Sequence, residues 1–427
     1  MISRDNFCNR MKLKIEYLVS PEKLQAYAYM AANILTMLLA FIINLLLTRW
    51  ASPEEYGQYK YATNFILLIP SFFEFGLHFS CSRIVAEDRA NEKHPVAAVS
   101  ILIMAIIGII VSIGLYLIIY ICGYLKIESM NAIANIRIVF PFVAFFMVKT
   151  CVTQLFQGTG KIFRLSMFTF VQYIILILGI CVGKLIYSEL TFKFCIWMYL
   201  ISNIIVVIPT LTQLDYRIKD YKNSLNRLLA DVRKSGIMVY ISSIVTTSAS
   251  SIIGLICGSV YGYTQYGYYS LALSLAQIFT FVSSAMAVVK FRDNVHEIFI
   301  KKSDTVFMIA MNVMIYIAFL LMIYTVFFWF FTSDYEPAVE YLIVLAFAYI
   351  LNGMTIYYNR FFIARGLGVI VMKCSIYVAL ANIVSSAILI PKLEIMGLVI
   401  ASLITSAFNF GQYILSYSKY AKKQKQA

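Results

Sequence analysis

The sequence has little charge: only 13% of its 427 residues are Asp, Glu, Lys or Arg, where a soluble domain of average composition carries about 25%. With 61% apolar residues, this excludes a water-soluble globular fold, and a lipid bilayer must take the surplus. Histidine is scarce. His78, His94 and His296 are far apart, so no metal site is expected. The eight cysteines form no CxxC pair and no cluster at ligand spacing, which leaves neither a zinc site nor a disulfide framework to read; they are expected to be inert packing residues. No cofactor is called for. A secretory signal is absent as well. Arg4, Arg10, Lys12 and Lys14 precede an apolar stretch that begins near Ala28 and has no small-residue cleavage site, so the stretch reads as a retained membrane helix.

Long apolar runs are what the sequence does have. A membrane helix needs about 20 mostly apolar residues, because a hydrocarbon core of about 30 Å is crossed at about 1.5 Å per residue. Twelve stretches qualify, at 28–48, 60–82, 96–122, 135–157, 165–187, 194–214, 237–259, 268–289, 305–331, 339–361, 370–390 and 395–415. The expected protein is an all-α integral membrane protein. Basic residues are retained on the cytoplasmic side. Between these spans, 26 Lys and Arg fall on the side of both termini and 7 on the other. Both termini are therefore expected in the cytoplasm. Most of the formal net charge of +14 is thus a topology signal, and a nucleic-acid partner loses its support.

The chain repeats itself. Tyr56-Gly57-Gln58-Tyr59 has a counterpart in Tyr266-Gly267-Tyr268-Tyr269, and Phe156-Gln157-Gly158-Thr159-Gly160 resembles Phe362-Ile363-Ala364-Arg365-Gly366, at offsets of 210 and 206. Each match falls at the same place in the order of spans, which favours duplication over chance recurrence among 31 Tyr. An even number of spans per copy makes the halves parallel repeats with a substrate path between them. The expected division is a cytoplasmic segment 1–27, a first lobe 28–214 of six helices, a charged linker 215–236, a second lobe 237–415 of six helices and a basic tail 416–427.

The run Leu47-Thr48-Arg49-Trp50-Ala51-Ser52-Pro53-Glu54-Glu55-Tyr56-Gly57-Gln58-Tyr59, with Phe73-Glu74-Phe75-Gly76-Leu77 and Arg83 after it, resembles the opening of the polysaccharide (O-antigen type) flippases of the multidrug/oligosaccharidyl-lipid/polysaccharide exporter superfamily. Tyr266 to Tyr269 and Gly397-Leu398-Val399-Ile400-Ala401-Ser402 are similar to that family's second-half signatures. Glu74 stands where the family pattern has Asp, so the charge is kept. The resemblance implies a two-lobed, MATE-like architecture in a bacterial cytoplasmic (inner) membrane. It also implies alternating-access transport of an undecaprenyl-pyrophosphate-linked oligosaccharide for surface polysaccharide synthesis, with a proton or sodium gradient as drive. Membrane lipids, the lipid-linked substrate and polymerase or other pathway proteins would be its partners.

Ionisable groups inside spans cost enough to be functional candidates. Glu74 and Lys149 are each about eight residues from the inner end of a span, about 12 Å deep. His78 lies one turn from Glu74, and Thr153 and Gln157 continue the face that Lys149 begins; the two stripes read as walls of a wet cavity. Alternatively, Glu74 and Lys149 pair with each other and hold the packing. Under the resemblance, Lys149 binds pyrophosphate as a point charge and Glu74, with or without His78, is the coupling site. In the second lobe Arg360, Lys373, Lys290 and Arg292 lie near inner span ends, where anchoring by snorkelling is the simplest role. Arg360 stands out, since Asn352, Thr355 and Asn359 make its helix polar. Arg83, roughly equivalent to Arg292, would join it at an inner mouth. The hydroxyl-rich seventh span, from Ser242 to Ser251, serves close packing or a hydrated path equally well. A membrane polymerase or ligase would need a substantial outward loop, and no outward loop exceeds about a dozen residues. A cation-coupled multidrug exporter of the same superfamily would favour acidic over basic cavity residues.

Overall fold

The computed structural model describes residues 21–87, 95–124, 131–159, 162–212, 221–290, 298–365 and 367–426. They are helical almost throughout. The helices are α1 (Pro21–Trp50), α2 (Pro53–Phe73), α3 (Leu77–Glu87), α4 (Pro95–Tyr124), α5 (Val143–Gly158), α6 (Ile162–Ile186), α7 (Phe192–Thr212), α8 (Tyr221–Asp231), α9 (Ile237–Tyr261), α10 (Tyr263–Ala276), α11 (Phe281–Val289), α12 (Lys302–Phe330), α13 (Pro337–Ala364) and α14 (Gly368–Gln426). In hydrocarbon each backbone N–H and C=O must be satisfied within the protein, and a helix does this within one segment.

Where it is described, each stretch expected to span is helical, apart from the break at Glu74–Gly76 and single residues at or near span ends. Eight described helices are long and apolar enough to cross alone, and the bent pair α2 and α3 adds a ninth. Non-helical φ/ψ at Glu394, next to Pro391, divides α14 in two. Leu35–Trp50 and Ser250–Tyr261, shorter apolar parts of α1 and α9, complete twelve. Their outer sides are apolar and exposed, as at Ile110, Leu185, Val260 and Leu321, which is the surface a bilayer covers.

The second span departs from the expected 60–82. It begins at Pro53, because Ser52 accepts a hydrogen bond from the Glu55 backbone N–H at 3.3 Å and Pro53 occupies the first turn, an N-terminal cap of the Ser-Pro-x-Glu kind. It also breaks: α2 and α3 meet at 70°, with left-handed backbone at Phe75 (φ 46°) and Gly76 (φ 76°). A Cβ on Gly76 would collide with the backbone of Gly236, so the break is held by packing as well as by conformation. The Tyr240 hydroxyl donates to the carbonyl of Phe72, satisfying a group that the break would leave bare in lipid.

The linker differs too. Its described part is helix α8 followed by a π-helical turn, Val232–Gly236, that runs directly into α9. Leu228 and Ser224 are buried where α8 packs on α3 and α4. Leu225 and Leu228 lie one turn apart among its charges, a short helical apolar pattern in a segment whose composition is dominated by charge.

In the first lobe α1 packs on α6, α4 on α5 and α6 on α7; in the second, α13 packs on α14, α10 and α11. The lobes join chiefly through α2 and α10, the helices that carry the repeated Tyr-Gly pairs. Gly57 and Gly267 face each other there. A Cβ added to either comes within about 3.1 Å of the other's backbone, so two helices related by the duplication touch at their smallest residues, the close approach expected of membrane helices. Tyr56 and Tyr268 both pack edge-on to the buried Tyr335, with ring centroids 5.8 and 5.9 Å apart. Arg49, in the last turn of α1, donates to the carbonyls of Phe330 and Trp329 at 2.8 and 2.9 Å, binding the first lobe to the end of α12. These contacts close the seam on the face opposite the basic one.

Gly57→Val and Gly267→Val are each expected to cost about 1–3 kcal/mol by overpacking and to lower the melting temperature of the purified protein. Gly114, with nothing within 4 Å of an added Cβ, tolerates the same change. Equal melting of all three variants would contradict the close lobe contact.

Candidate substrate cavity

Below the closed seam lies a cavity of about 920 Å³. Its wall comes from one face of α2 (Lys60, Thr63, Asn64) and from α9, α10, α13 and both halves of α14. The lining is chemically biased. Among the described residues it contains Asn64, Asn352, Asn359, Asn382 and Asn409, Gln277, ten Ser or Thr and four Tyr, two cations in Lys60 and Arg360, and no Asp or Glu. Polar groups buried in a membrane face a partner or water. Several are pre-oriented by one another: Asn359 Nδ2 donates to the Tyr413 hydroxyl at 2.8 Å, Asn382 Nδ2 to Ser250 at 2.8 Å and Asn64 Nδ2 to the Tyr266 hydroxyl at 2.9 Å. Remaining amide and hydroxyl valences point into the space.

Arg360, Asn352 and Asn359 therefore come together on one wall. Arg360 is exposed at the basic end of α13, at the cavity's mouth. Ser250 and Ser251 of the hydroxyl-rich seventh span line the same space; the side chains of Ser242, Ser243, Thr246, Thr247 and Ser248 lie outside the described residues.

The other sequence candidates are placed elsewhere. Lys149 is not part of this cavity's wall. It sits in the first lobe, donating to Gln172 Oε1 at 2.9 Å and to Asn203 Oδ1, with its ammonium 5.5 and 5.9 Å from the rings of Phe146 and Phe168. Thr153 turns back on its own helix, donating to the Lys149 carbonyl at 2.8 Å. The Gln157 side chain and Arg292 lie outside the described residues. Arg83 is tied to Asp231 at the end of α8 and lies 3.8 Å from Glu87, so it fastens the linker to the first lobe. Lys290 pairs with Asp304 at 3.0 Å. Lys373 is exposed on α14, away from the cavity wall.

Glu74 and Lys149 are not an ion pair. The Glu74 carboxylate instead lies 3.4 Å from His78 Nδ1, and both are buried. That separation is too long for a good hydrogen bond, and His78 Nδ1 has no hydrogen-bond partner. The pair sits at the helix break, where the Leu77 backbone N–H donates to the Glu74 carbonyl at 2.9 Å.

Lys60 was missed. Seven residues into α2 once the helix starts at Pro53, it is half-buried in the cavity wall, whereas a span counted from residue 60 puts it at a span end among the topology charges. Its position one turn after Tyr56 was the available signal, because the repeat makes that turn the lobe contact.

The arrangement, a bundle of two repeats closed on one face around a polar cavity, defines a two-lobed, multi-pass membrane fold. Solved structures agree. One described as "Lipid II flippase MurJ, inward closed conformation" superposes with a TM-score of 0.67 at 14% identity, covering 91% of this chain and 87% of that one. An inward-facing multidrug resistance MATE family transporter of the MOP superfamily gives 0.66 at 14% identity over 91% and 94%. A MOP superfamily transporter from Pyrococcus furiosus, described as having a binding pocket of reverse polarity that suggests a different function, gives 0.58 at 15% identity over 96% and 97%. No curated protein matches the sequence. The model of the family described as "Polysaccharide biosynthesis protein" matches residues 25–291, and the chain belongs to that family.

Removing Lys149 strands two amide oxygens, each at about 1–3 kcal/mol, so Lys149→Ala is expected to lower the melting temperature markedly. Arg360→Ala, at an exposed position, leaves it within error. A Lys149→Ala protein as stable as the parent would return Lys149 to the list of ligand-binding candidates.

Proposed function

We propose that this chain is a flippase that carries a polyprenyl-diphosphate-linked oligosaccharide across a bacterial cytoplasmic membrane by alternating access, for surface polysaccharide synthesis. The observation that carries the reading is the cavity wall: among the described residues it has amides, hydroxyls and tyrosines with two cations and no carboxylate. Sugars are recognised by many neutral donors and acceptors, and a diphosphate by a cation at the headgroup level, which is where Arg360 lies. A guanidinium suits phosphate because its fork donates in a fixed plane. A cationic drug would find no counter-charge in this cavity, which weighs against the multidrug reading. The family description and the flippase neighbour agree with a lipid-linked substrate. With both termini and most basic residues in the cytoplasm, the open end of the cavity faces the compartment where such lipids are assembled.

The coupling ion is assigned to Glu74 and His78. A carboxylate and an imidazole facing each other at a broken helix, outside the substrate wall, offer a place for a proton or sodium ion. The break connects them to the lobe seam through Tyr240 and the Gly76–Gly236 contact, so occupancy can bias the angle between α2 and α3.

Flipping of a fluorescent polyprenyl-diphosphate oligosaccharide in proteoliposomes tests both assignments. Arg360→Ala is expected to slow it by about tenfold or more, the loss of a charged hydrogen-bonded contact. Unchanged flipping by Arg360→Ala would remove Arg360 from diphosphate binding, and a parent protein that transports lipophilic cations and does not flip the probe would sink the flippase reading. Glu74→Gln is expected to abolish the response to an imposed proton or sodium gradient, and a Glu74→Gln protein that still responds would remove that residue from coupling.

A further inference from the structure

Resting on that reading, we propose that Lys60 is a second anion site, and that the carried oligosaccharide bears an acidic group on a sugar far from its diphosphate. Lys60 lines the cavity. Its ammonium has one long contact, 3.4 Å to Ser274 Oγ, and stands 5.5 Å from the Tyr56 ring centroid. Among the described residues it has no ion pair, and no carboxylate lines the space it faces. A lysine kept unneutralised this deep is costly in a membrane protein unless something that enters neutralises it.

Arg360 cannot share its ligand with Lys60. Arg49, just before α2, bonds to the last carbonyls of α12, just before α13, so α2 and α13 start at about one level. Lys60 is seven residues along its helix from Pro53, and Arg360 is twenty-three along its own from Pro337. At about 1.5 Å per residue the two cations differ in depth by roughly 24 Å. A diphosphate is only a few ångströms long and touches one of them. A polyprenyl chain lying in the leaflet of the basic face holds its diphosphate at that leaflet's headgroup level, beside Arg360. The sugars must then extend along the wall of Asn352, Thr355, Asn382 and Ser270, and the far end arrives at Lys60. A compact ammonium there pairs with a carboxylate or phosphate substituent, with Thr63 and Gln277 beside it for sugar hydroxyls. Lys60 is thus a specificity-determining residue: it distinguishes acidic from neutral repeat units.

The test uses the purified full chain in nanodiscs and two synthetic polyprenyl-diphosphate tetrasaccharides that differ only in their last sugar, a hexuronic acid or the matching hexose. The parent protein should bind the acidic probe about tenfold more tightly. Lys60→Gln should bring the two affinities together by weakening the acidic probe alone, and Lys60→Arg should keep most of the preference. Binding of the neutral probe by Lys60→Gln doubles as the check that the variant is folded. Equal binding of both probes by the parent would overturn the proposal and leave the flippase reading standing. So would an equal loss for both probes in Lys60→Gln, which would place the diphosphate at Lys60. Failure to bind either probe would overturn both readings together.

Discussion

The structure depends on one backbone-to-backbone approach, that of Gly57 and Gly267. Apolar side chains gain nothing in lipid by meeting each other rather than the acyl chains, so two lobes adhere through close packing and through polar groups that lipid cannot satisfy. The two glycines bring α2 and α10 to contact distance, and the hydrogen bonds of Arg49 and Asn64 and the edge-on ring contacts at Tyr335 assemble around that crossing. With the seam shut on one face, the space between the diverging helices can open only toward the other. The cavity, its mouth at Arg360 and its deep end at Lys60 follow from this crossing.

A second constraint is the need to satisfy every backbone group in hydrocarbon. It explains why the one sharp break in the second span is so heavily tended. Gly76 fits under Gly236, Tyr240 reaches across the lobes to Phe72, and Glu74 and His78 occupy the corner. A break of this kind is tolerated where protein, not lipid, surrounds it. It is also a place where a small change in charge can be converted into a change of helix angle, since the connecting contacts run from the break to both lobes.

Burial divided the charged residues in a way that depth alone could not. Lys149 is neutralised locally by amide oxygens and aromatic faces, Arg83 and Lys290 by carboxylates. Those three have found partners within the fold and serve its packing. Among the described residues Lys60 and Arg360 have neither a carboxylate nor an amide oxygen as partner, and both line the acid-free cavity. The difference lies in what stands opposite each side chain, and that is set by helices distant in sequence.

Hydrophobic length was enough, from the sequence alone, for the all-helical membrane class and the twelve spans, and two repeated motifs at nearly one offset for the duplication, because these are properties of single helices and their order. Arg360 with Asn352 and Asn359 was legible for the same reason: one helix carries all three. The start of α2 at Pro53, the break at Glu74 and the helical linker are local as well, but weak caps and short amphipathic patterns were masked by stronger composition signals. His78 beside Glu74 was legible as a pair one turn apart, but which face of each helix meets another, and so that Lys149 answers to Gln172 and Asn203 and not to Glu74, was decided only by tertiary packing. Lys60 is the clearest case. Its sequence neighbours mark it as a charge near a span end, and only the crossing of α2 over α10 turns it into the deep wall of the cavity.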